Sequence, residues 1–481
     1  MIAWSIAGSD SGGGAGIQAD LKTFQGLGVH GCTVVTAVTA QNTRAVEAAF
    51  PLDADAVLAQ VEALRSDLVP RALKLGMLGG PETVSRLAET LPKLGCFIVC
   101  DPVMVATSGD RLMSEETHQI FVTQLLPKVD LLTPNLPEAE ALTGCSIDNT
   151  QAVEAAAARL HQMGVQRLLI KGGHASSTYC QDYYSDGETA FWLTGRRLPG
   201  GPVHGTGCTL SAAITACITL GYPLEDALVI ARAYVTQGIR LSKQVGSGAR
   251  PVFQGAWPEV EHDLPWITNS AQQGASRPVF PDCGPKPLGF YPIVDRLSWL
   301  QRLAPLGVRT AQLRIKDLEG DDLEREIGES ISFARRYSMR LFINDHWECA
   351  LRHGAYGVHL GQEDLPQADL KALSDASLRL GVSTHCYREM ARALAVQPSY
   401  IAIGPVYHTN TKQMPWIPQG PAGLARWRRS LSYPLVAIGG INLERAEALL
   451  AAGADSLAVI TAITESPDPE TSARQWLSLF P

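Results

Sequence analysis

The sequence predicts an α/β protein of two successive domains, the second of them a (β/α)8 barrel. Three observations carry this. The chain has 481 residues, more than one ordinary domain holds. Both halves alternate short β-branched runs with helical patterns. Between them, residues 263–288 read DLPWITNSAQQGASRPVFPDCGPKPL, dense in Pro, Gly, Ser and Gln. That composition predicts a linker and sets domains at 1–262 and 289–481.

The barrel follows from counting. Candidate strands are Phe290–Val294, Ala311–Ile315, Arg340–Ile343, Gly357–Leu360, Leu378–Val382, Tyr400–Ile403, Leu435–Ile438 and Ser456–Ile460, with helical stretches between them. Polar residues gather at the C-terminal ends of these strands, where such a barrel carries its chemistry.

Composition narrows the function. Apolar residues make up 46% and charged residues 18%, as in a globular protein with a real core. The net charge of -8 argues against a nucleic-acid partner. Ten cysteines without CxxC spacing predict reduced thiols and a cytoplasmic protein. Met1–Ser5 carries no basic or signal-type segment, and no apolar stretch is long enough to span a bilayer, so no membrane partner is expected.

In the first domain, Ala3–Ala7 is a short strand running into Gly8-Ser9-Asp10-Ser11-Gly12-Gly13-Gly14-Ala15-Gly16. Such a loop lets backbone approach a ligand, or is a plain turn. A second signal is His204-Gly205-Thr206-Gly207-Cys208-Thr209, directly before an apolar helix. Unpaired N–H groups at a helix start hold anions. Cys208 falls in the first turn, where the helix dipole is expected to lower its thiol pKa.

These segments resemble the hydroxymethylpyrimidine and phosphomethylpyrimidine kinases of the ribokinase-like superfamily. Gly8–Asp20, Thr39–Thr43, Lys74–Gly79, Asp101–Met104, Thr133–Glu140, Lys171–His174 and the Gly-Thr-Gly-Cys turn match in the family's order, across about residues 1–260. The resemblance implies a ribokinase-like α/β fold and ATP- and Mg²⁺-dependent phosphoryl transfer to a methylpyrimidine alcohol and then to its phosphate. It puts Gln41, Met77, Val103 and, as a lesser candidate, Asp20 in the pyrimidine pocket. Asn135, Glu138, Lys171 and Thr206 would serve ATP and Mg²⁺, and Gly205, Gly207 and Cys208 would be catalytic. The family often has Lys where Thr107 stands.

In the second domain, alternation on the second candidate strand puts Gln312, Arg314 and Lys316 on one inward face, which predicts an anion site. Asp345 and Asp364 follow neighbouring strands, as carboxylates for Mg²⁺ do. Glycines follow the seventh strand. His346, His359 and His385 are read as structural or solvated.

This ordered set resembles thiamine phosphate synthase across about residues 289–481. The resemblance implies that a pyrimidine diphosphate loses pyrophosphate and is captured by a thiazole phosphate. Mg²⁺ on Asp345 and Asp364, with Arg314, Lys316 and Lys412, would stabilise the departing polyanion. Gln312, Asn344 and Ser383 would contact the pyrimidine diphosphate. Thr409, Thr411 and amides near Gly440, Ile460 and Thr461 would contact the thiazole phosphate. The family commonly has Pro where His408 stands and Ser where Thr461 stands. A thiazole tautomerase is the competing reading of the barrel, and pyridoxal the competing substrate of the kinase. All partners are then small molecules, and homo-oligomer formation stays open.

Overall fold

The computed structural model describes residues 1–104, 113–172, 178–275, 277–409 and 418–480. The chain divides into two compact units, Met1–Ala275 and Ser276–Pro481.

The first unit is built on one ten-stranded sheet. Its strands are β1 (Ile2–Asp10), β2 (His30–Gln41), β3 (Val46–Pro51), β4 (Ala72–Leu75), β5 (Phe97–Cys100), β6 (Leu131–Leu132), β7 (Leu168–Ile170), β8 (Tyr179–Ser185), β9 (Ala190–Arg196) and β12 (Trp266–Thr268). β10 (Val203–His204) and β11 (Arg250–Pro251) form a separate ladder. Sheet order is β12-β9-β8-β7-β6-β5-β4-β1-β2-β3. The central strands β2, β1, β4, β5, β6 and β7 run parallel. The central strands are covered on both faces: Trp4, Ile6, Leu73 and Leu75 are buried on one, and Ser5 and Lys74 are buried on the other. The ends of these parallel strands therefore point one way, and the functional loops leave from there.

The second unit is a closed barrel of β13 (Gly289–Val294), β14 (Thr310–Leu313), β15 (Arg340–Asn344), β16 (Gly357–Leu360), β17 (Arg379–Thr384), β18 (Tyr400–Ile403), β19 (Leu435–Ile438) and β20 (Ser456–Val459). Each of the eight strands expected from the sequence is present, and every neighbouring pair is parallel. Tyr291, Phe342, Tyr400, Val436 and Ala458 belong to one buried cluster, so the interior is a packed core.

The expected linker at 263–288 is not one. Trp266–Thr268 adds an antiparallel edge strand to β9, and Trp266 and Ile267 are buried. Trp266 Nε1 donates to the Gly274 carbonyl at 2.9 Å. Further on, the Arg340 guanidinium donates to the carbonyls of Lys286 (2.9 Å) and Pro287 (2.7 Å), and Cys283 and Leu288 join the barrel cluster. The unit boundary at Ala275/Ser276 lies inside this stretch. Its prolines and serines masked a strand of three residues, too short for periodicity to show.

Burying Trp266 and Ile267 is worth about 1.5–3 kcal/mol each. A first unit ended after His262 should therefore melt several degrees below one ended after Ala275 in a calorimetric scan. Equal melting temperatures would return the segment to the status of a linker.

Candidate active sites

In the first unit the glycine-rich loop folds around Asp10 at the end of β1. The Asp10 carboxylate accepts N–H bonds from Gly12 (2.8 Å), Gly14 (3.0 Å) and Ala15 (2.8 Å), and His204 Nε2 lies 3.3 Å away. Burial would raise the Asp10 pKa, but His204 and these amides outweigh it and hold the group below its ordinary value. Gly205 sits at φ +84°, and a Cβ there would stand 1.9 Å from the Gly14 carbonyl oxygen. The glycine-rich loop and the Gly-Thr-Gly-Cys turn thus touch backbone to backbone, which only glycine permits.

Gly205 caps the helix Thr206–Thr219, whose first N–H groups have no partner within the helix. They border a cavity of about 1100 Å³ lined also by Lys171, Asp101 and Lys74. Lys171 Nζ lies 2.6 Å from Asp101 Oδ1 and 3.8 Å from Glu138 Oε2. A Cβ on Gly207 would stand 3.2 Å from Lys171 Nζ and 3.3 Å from Asp101 Oδ2, so the bare glycine lets the helix start meet this pair. Asn135 and Glu138 form a reciprocal cap, Glu138 N to Asn135 Oδ1 at 2.8 Å and Asn135 N to Glu138 Oε2 at 2.7 Å. Burial raises the Glu138 pKa and Lys171 opposes the shift.

Gln41, Met77 and Val103 line the same cavity, as do Asn135, Glu138, Thr206 and Cys208. Gln41 Nε2 lies 3.1 Å from His204 Nε2, and Gln41 Oε1 accepts from Thr39 Oγ1 at 3.1 Å. Two expectations need correction. Asp20 does not line the cavity: its carboxylate is fully buried, bound by Lys74 Nζ at 2.8 Å through both oxygens and by Ser5 Oγ at 2.6 Å. Its role is to neutralise Lys74, whose ammonium burial would discharge were Asp20 not holding it charged. Cys208 is not a low-pKa thiol. Burial pushes it up to about 11, with Asp20 and Asp101 adding to the rise and Lys74 and the Gly16 N–H opposing it. The helix start does not overcome desolvation here. Thr107 lies outside the described residues.

In the second unit the expected inward row of Gln312, Arg314 and Lys316 is only partly realised. β14 ends at Leu313, so Gln312 is buried inside the barrel, Arg314 is half-buried, and Lys316 is exposed at the mouth. There Lys316 Nζ reaches Asp345 Oδ2 at 2.5 Å. Asp345 follows β15 at φ +62°, a left-handed conformation that a non-glycine residue seldom adopts and that re-aims its side chain. Asp364 follows β16 and hydrogen-bonds Asp345; burial and that like charge raise the Asp364 pKa, while the Gly361 N–H and Lys316 oppose. Two carboxylates forced together in this way fit a divalent cation. Among the described residues no third His, Cys, Asp or Glu completes a metal cluster, so water or ligand oxygens would fill the remaining positions.

Asn344, buried, ends β15, and Thr409 is half-buried beyond β18. Gly439 (φ +100°) and Gly440 (φ +63°) turn the chain after β19, and Ile460 and Thr461 follow β20. Thr411 and Lys412 lie outside the described residues, and His408 is exposed. Ser383 Oγ lies 2.8 Å from His359 Nε2, and His359 Nδ1 lies 2.7 Å from the Tyr400 hydroxyl. Burial lowers the His359 pKa to about 4, against the pull of Asp345, so the ring is neutral. His346 and His385 are likewise bonded within the protein, to the Ile315 carbonyl (3.3 Å) and Glu389 (2.6 Å).

Sequence reasoning gave no role to Asp10, Lys74, Asp101, Tyr291, Tyr400 or His204. Asp101 and Lys74 stood inside matched motifs, which was a usable signal. The tyrosines carried none, because aromatic residues in barrel strands are ordinarily packing.

Residues 10–253 match the family model for phosphomethylpyrimidine kinase, and residues 290–463 that for thiamine monophosphate synthase. A chloroplastic thiamine biosynthetic bifunctional enzyme of Arabidopsis thaliana is 33% identical over 489 residues, covering 98% of this chain and 91% of the relative. A thiamine-phosphate synthase of Salmonella choleraesuis is 54% identical over 204 residues, 42% of this chain and 96% of the relative. Among solved structures, a pyridoxal kinase of Staphylococcus aureus in complex with AMP-PCP and pyridoxal matches at TM-score 0.51 and 33% identity, over 56% of this chain and 97% of its own.

Because its thiol sits near 11, Cys208 should alkylate slowly with iodoacetamide at about pH 7.5, with a rate still rising above about pH 9 when followed by peptide mass spectrometry. A rate already level below about pH 8 would show that the helix start wins after all.

Proposed function

Since the chain belongs to the phosphomethylpyrimidine kinase family through its first unit and the thiamine monophosphate synthase family through its second, we propose residue roles for both reactions. The protein is a bifunctional enzyme of thiamine biosynthesis. It phosphorylates 4-amino-5-hydroxymethyl-2-methylpyrimidine and its phosphate, then joins the diphosphate to thiazole phosphate, giving thiamine phosphate and pyrophosphate.

In the kinase, the observation that carries the assignment is the Lys171–Asp101 contact facing the start of the helix Thr206–Thr219. The N–H groups of Gly205 to Cys208 are aimed where charge develops on the transferred phosphoryl group. Lys171 lies beside the ATP phosphates, and Asn135, Glu138 and Thr206 serve ATP and Mg²⁺. Gln41 pairs its amide with the ring edge, while Met77 and Val103 flank the ring. Cys208 takes the proton of the alcohol. Burial pushes the thiol up to about 11, so the acceptor is the minor thiolate form: the thiol first loses its own proton to solvent, and the thiolate then takes the alcohol's. In the second transfer the nucleophile is an ionised phosphate and needs no base. The likeness to a pyridoxal kinase makes pyridoxal the natural competitor alcohol to assay.

In the synthase, Asp345 and Asp364 would hold Mg²⁺, which would supply positive charge to a departing pyrophosphate. Arg314 and Lys316 add cationic contacts at the mouth, and the resemblance adds Lys412. Asn344, Ser383 and Gln312 hold the pyrimidine part. Thr409, Thr411 and the amides at Gly440, Ile460 and Thr461 hold the thiazole phosphate. The ten free cysteines support a reducing, cytosolic compartment. No helix among the described residues is long and apolar enough to cross a membrane.

Cys208→Ala should lower the rate on the alcohol by about 10²–10⁴-fold and that on the phosphate less than tenfold, read by separate single-substrate assays. Equal losses on both would remove Cys208 as the base. Asp345→Ala should lower thiamine phosphate formation by about 10²–10³-fold while leaving both kinase rates unchanged. Full synthase activity in that variant would remove Asp345 from the metal site.

A further inference from the structure

Arg232, on the helix Leu224–Arg240, lines the kinase cavity and is only 8% exposed. Its guanidinium stands beside Asp182 of β8, with Nε 2.8 Å from Asp182 Oδ2. That N–H is enclosed, yet it is aligned with no acceptor. The one hydrogen bond the guanidinium makes to the described residues runs from Nη1 to Thr236 Oγ1, at 2.9 Å. Nη2 rests against Gly195 of β9, where a Cβ would stand 3.2 Å from it. A guanidinium carries five N–H donors, and burying one with most of them unused is costly. Two other cations of the cavity are better served. Lys74 binds both oxygens of Asp20, and Lys171 reaches Asp101 and Glu138. Of the three, Arg232 is the one whose donors wait for an acceptor that a ligand brings.

The sheet order says which part of a ligand arrives there. Gln41 ends β2, and Met77 and Val103 follow β4 and β5; these are the pyrimidine residues under the proposed function, on which the inference rests. Asn135 and Lys171, on the ATP side, follow β6 and β7, and β8 and β9 come next in the sheet. Tyr183 pairs with Ile170, so Asp182 stands just past the end of β7. Its Oδ1 accepts the Gly172 N–H at 2.9 Å, one residue beyond Lys171. Gly195 pairs with Cys180 at the same end of the sheet. A ligand running from the pyrimidine residues past Lys171 therefore reaches Arg232 last. Beyond its phosphates, ATP has only its nucleoside to offer.

Charge balance agrees with that placement. Arg232 and Asp182 form a neutral pair, so they offer a hydrogen-bond donor with little net charge. Val235 and Ile239 follow Arg232 at helical spacing and line the same cavity, as does Leu210. A donor without spare charge, set among apolar side chains, suits an uncharged acceptor on a largely apolar group and not a phosphate. We propose that Arg232 recognises the nucleoside of ATP, its Nη2 donating to an uncharged acceptor, a purine ring nitrogen or a ribose oxygen. Asp182 is the positioning residue, because one carboxylate holds both the guanidinium and the Gly172 N–H beside Lys171.

The test uses the full chain and calorimetry with AMP-PCP, which needs no turnover. Arg232→Lys keeps a cation beside Asp182 and removes the Nη2 donors. It should weaken AMP-PCP binding about tenfold. Adenosine, competing with AMP-PCP, should weaken by the same factor, and inorganic tripolyphosphate by less than about twofold. Adenine as competitor separates the two nucleoside acceptors: the loss persists for a ring nitrogen and vanishes for a ribose oxygen. Arg232→Met combined with Asp182→Asn, which removes both charges and keeps an acceptor for Gly172, gives the same readouts if Arg232→Lys does not fold. Unchanged AMP-PCP binding, or tripolyphosphate weakened as much as adenosine, would overturn the proposal. A parent that binds AMP-PCP but phosphorylates no pyrimidine would instead overturn the kinase reading, and the nucleotide affinities would still decide the role of Arg232.

Discussion

Lys171 reaches Asp101 across the ends of β7 and β5, and the kinase cavity is arranged around that contact. A charged lysine that is nearly buried must be paired, and Asp101 supplies the counter-charge directly after β5. Once the pair stands there, the neighbouring residues are constrained. Glu138 shares the cation, Asn135 caps the helix that carries Glu138, and the bare Gly207 lets the next helix approach without displacing the pair. Lys74 repeats the rule one layer deeper, with Asp20 as its counter-charge.

The barrel obeys the same constraint with the opposite sign. Here two carboxylates meet at neighbouring strand ends and the cations stand outside them. Asp345 and Asp364 share a hydrogen bond, and Lys316 closes on Asp345 from the mouth. Beneath this charged rim Tyr291, Tyr400, His359 and Ser383 are hydrogen-bonded to one another. Burial pushes the His359 pKa down to about 4, so the ring beneath the rim is neutral.

Cys208 shows how environment outweighs position. At a helix start a thiol is expected to ionise readily, yet desolvation and the Asp20 and Asp101 carboxylates push it up to about 11. The same residue type in the same turn would behave differently with water at hand. For an alcohol substrate this favours a proton acceptor that is formed transiently, not one that stands ionised.

What the sequence determined by itself is whatever depends on near neighbours. The eight barrel strands were legible because each buries a short apolar run between turns, and the Gly205–Cys208 turn because glycines before an apolar helix have a local meaning. Asp345 and Asp364 were legible as carboxylates directly after strands. Only the tertiary structure decided the rest. It buried Asp20 against Lys74, residues 54 positions apart, and so took Asp20 out of the pocket. It ended β14 before Arg314, placing one of three expected inward residues inside and another in solvent. It recruited Trp266–Thr268 as an edge strand, because an open sheet edge beside β9 offered backbone partners that composition could not reveal. It also joined Tyr291 to Tyr400, 109 positions apart, since barrel closure alone brings their hydroxyls into contact.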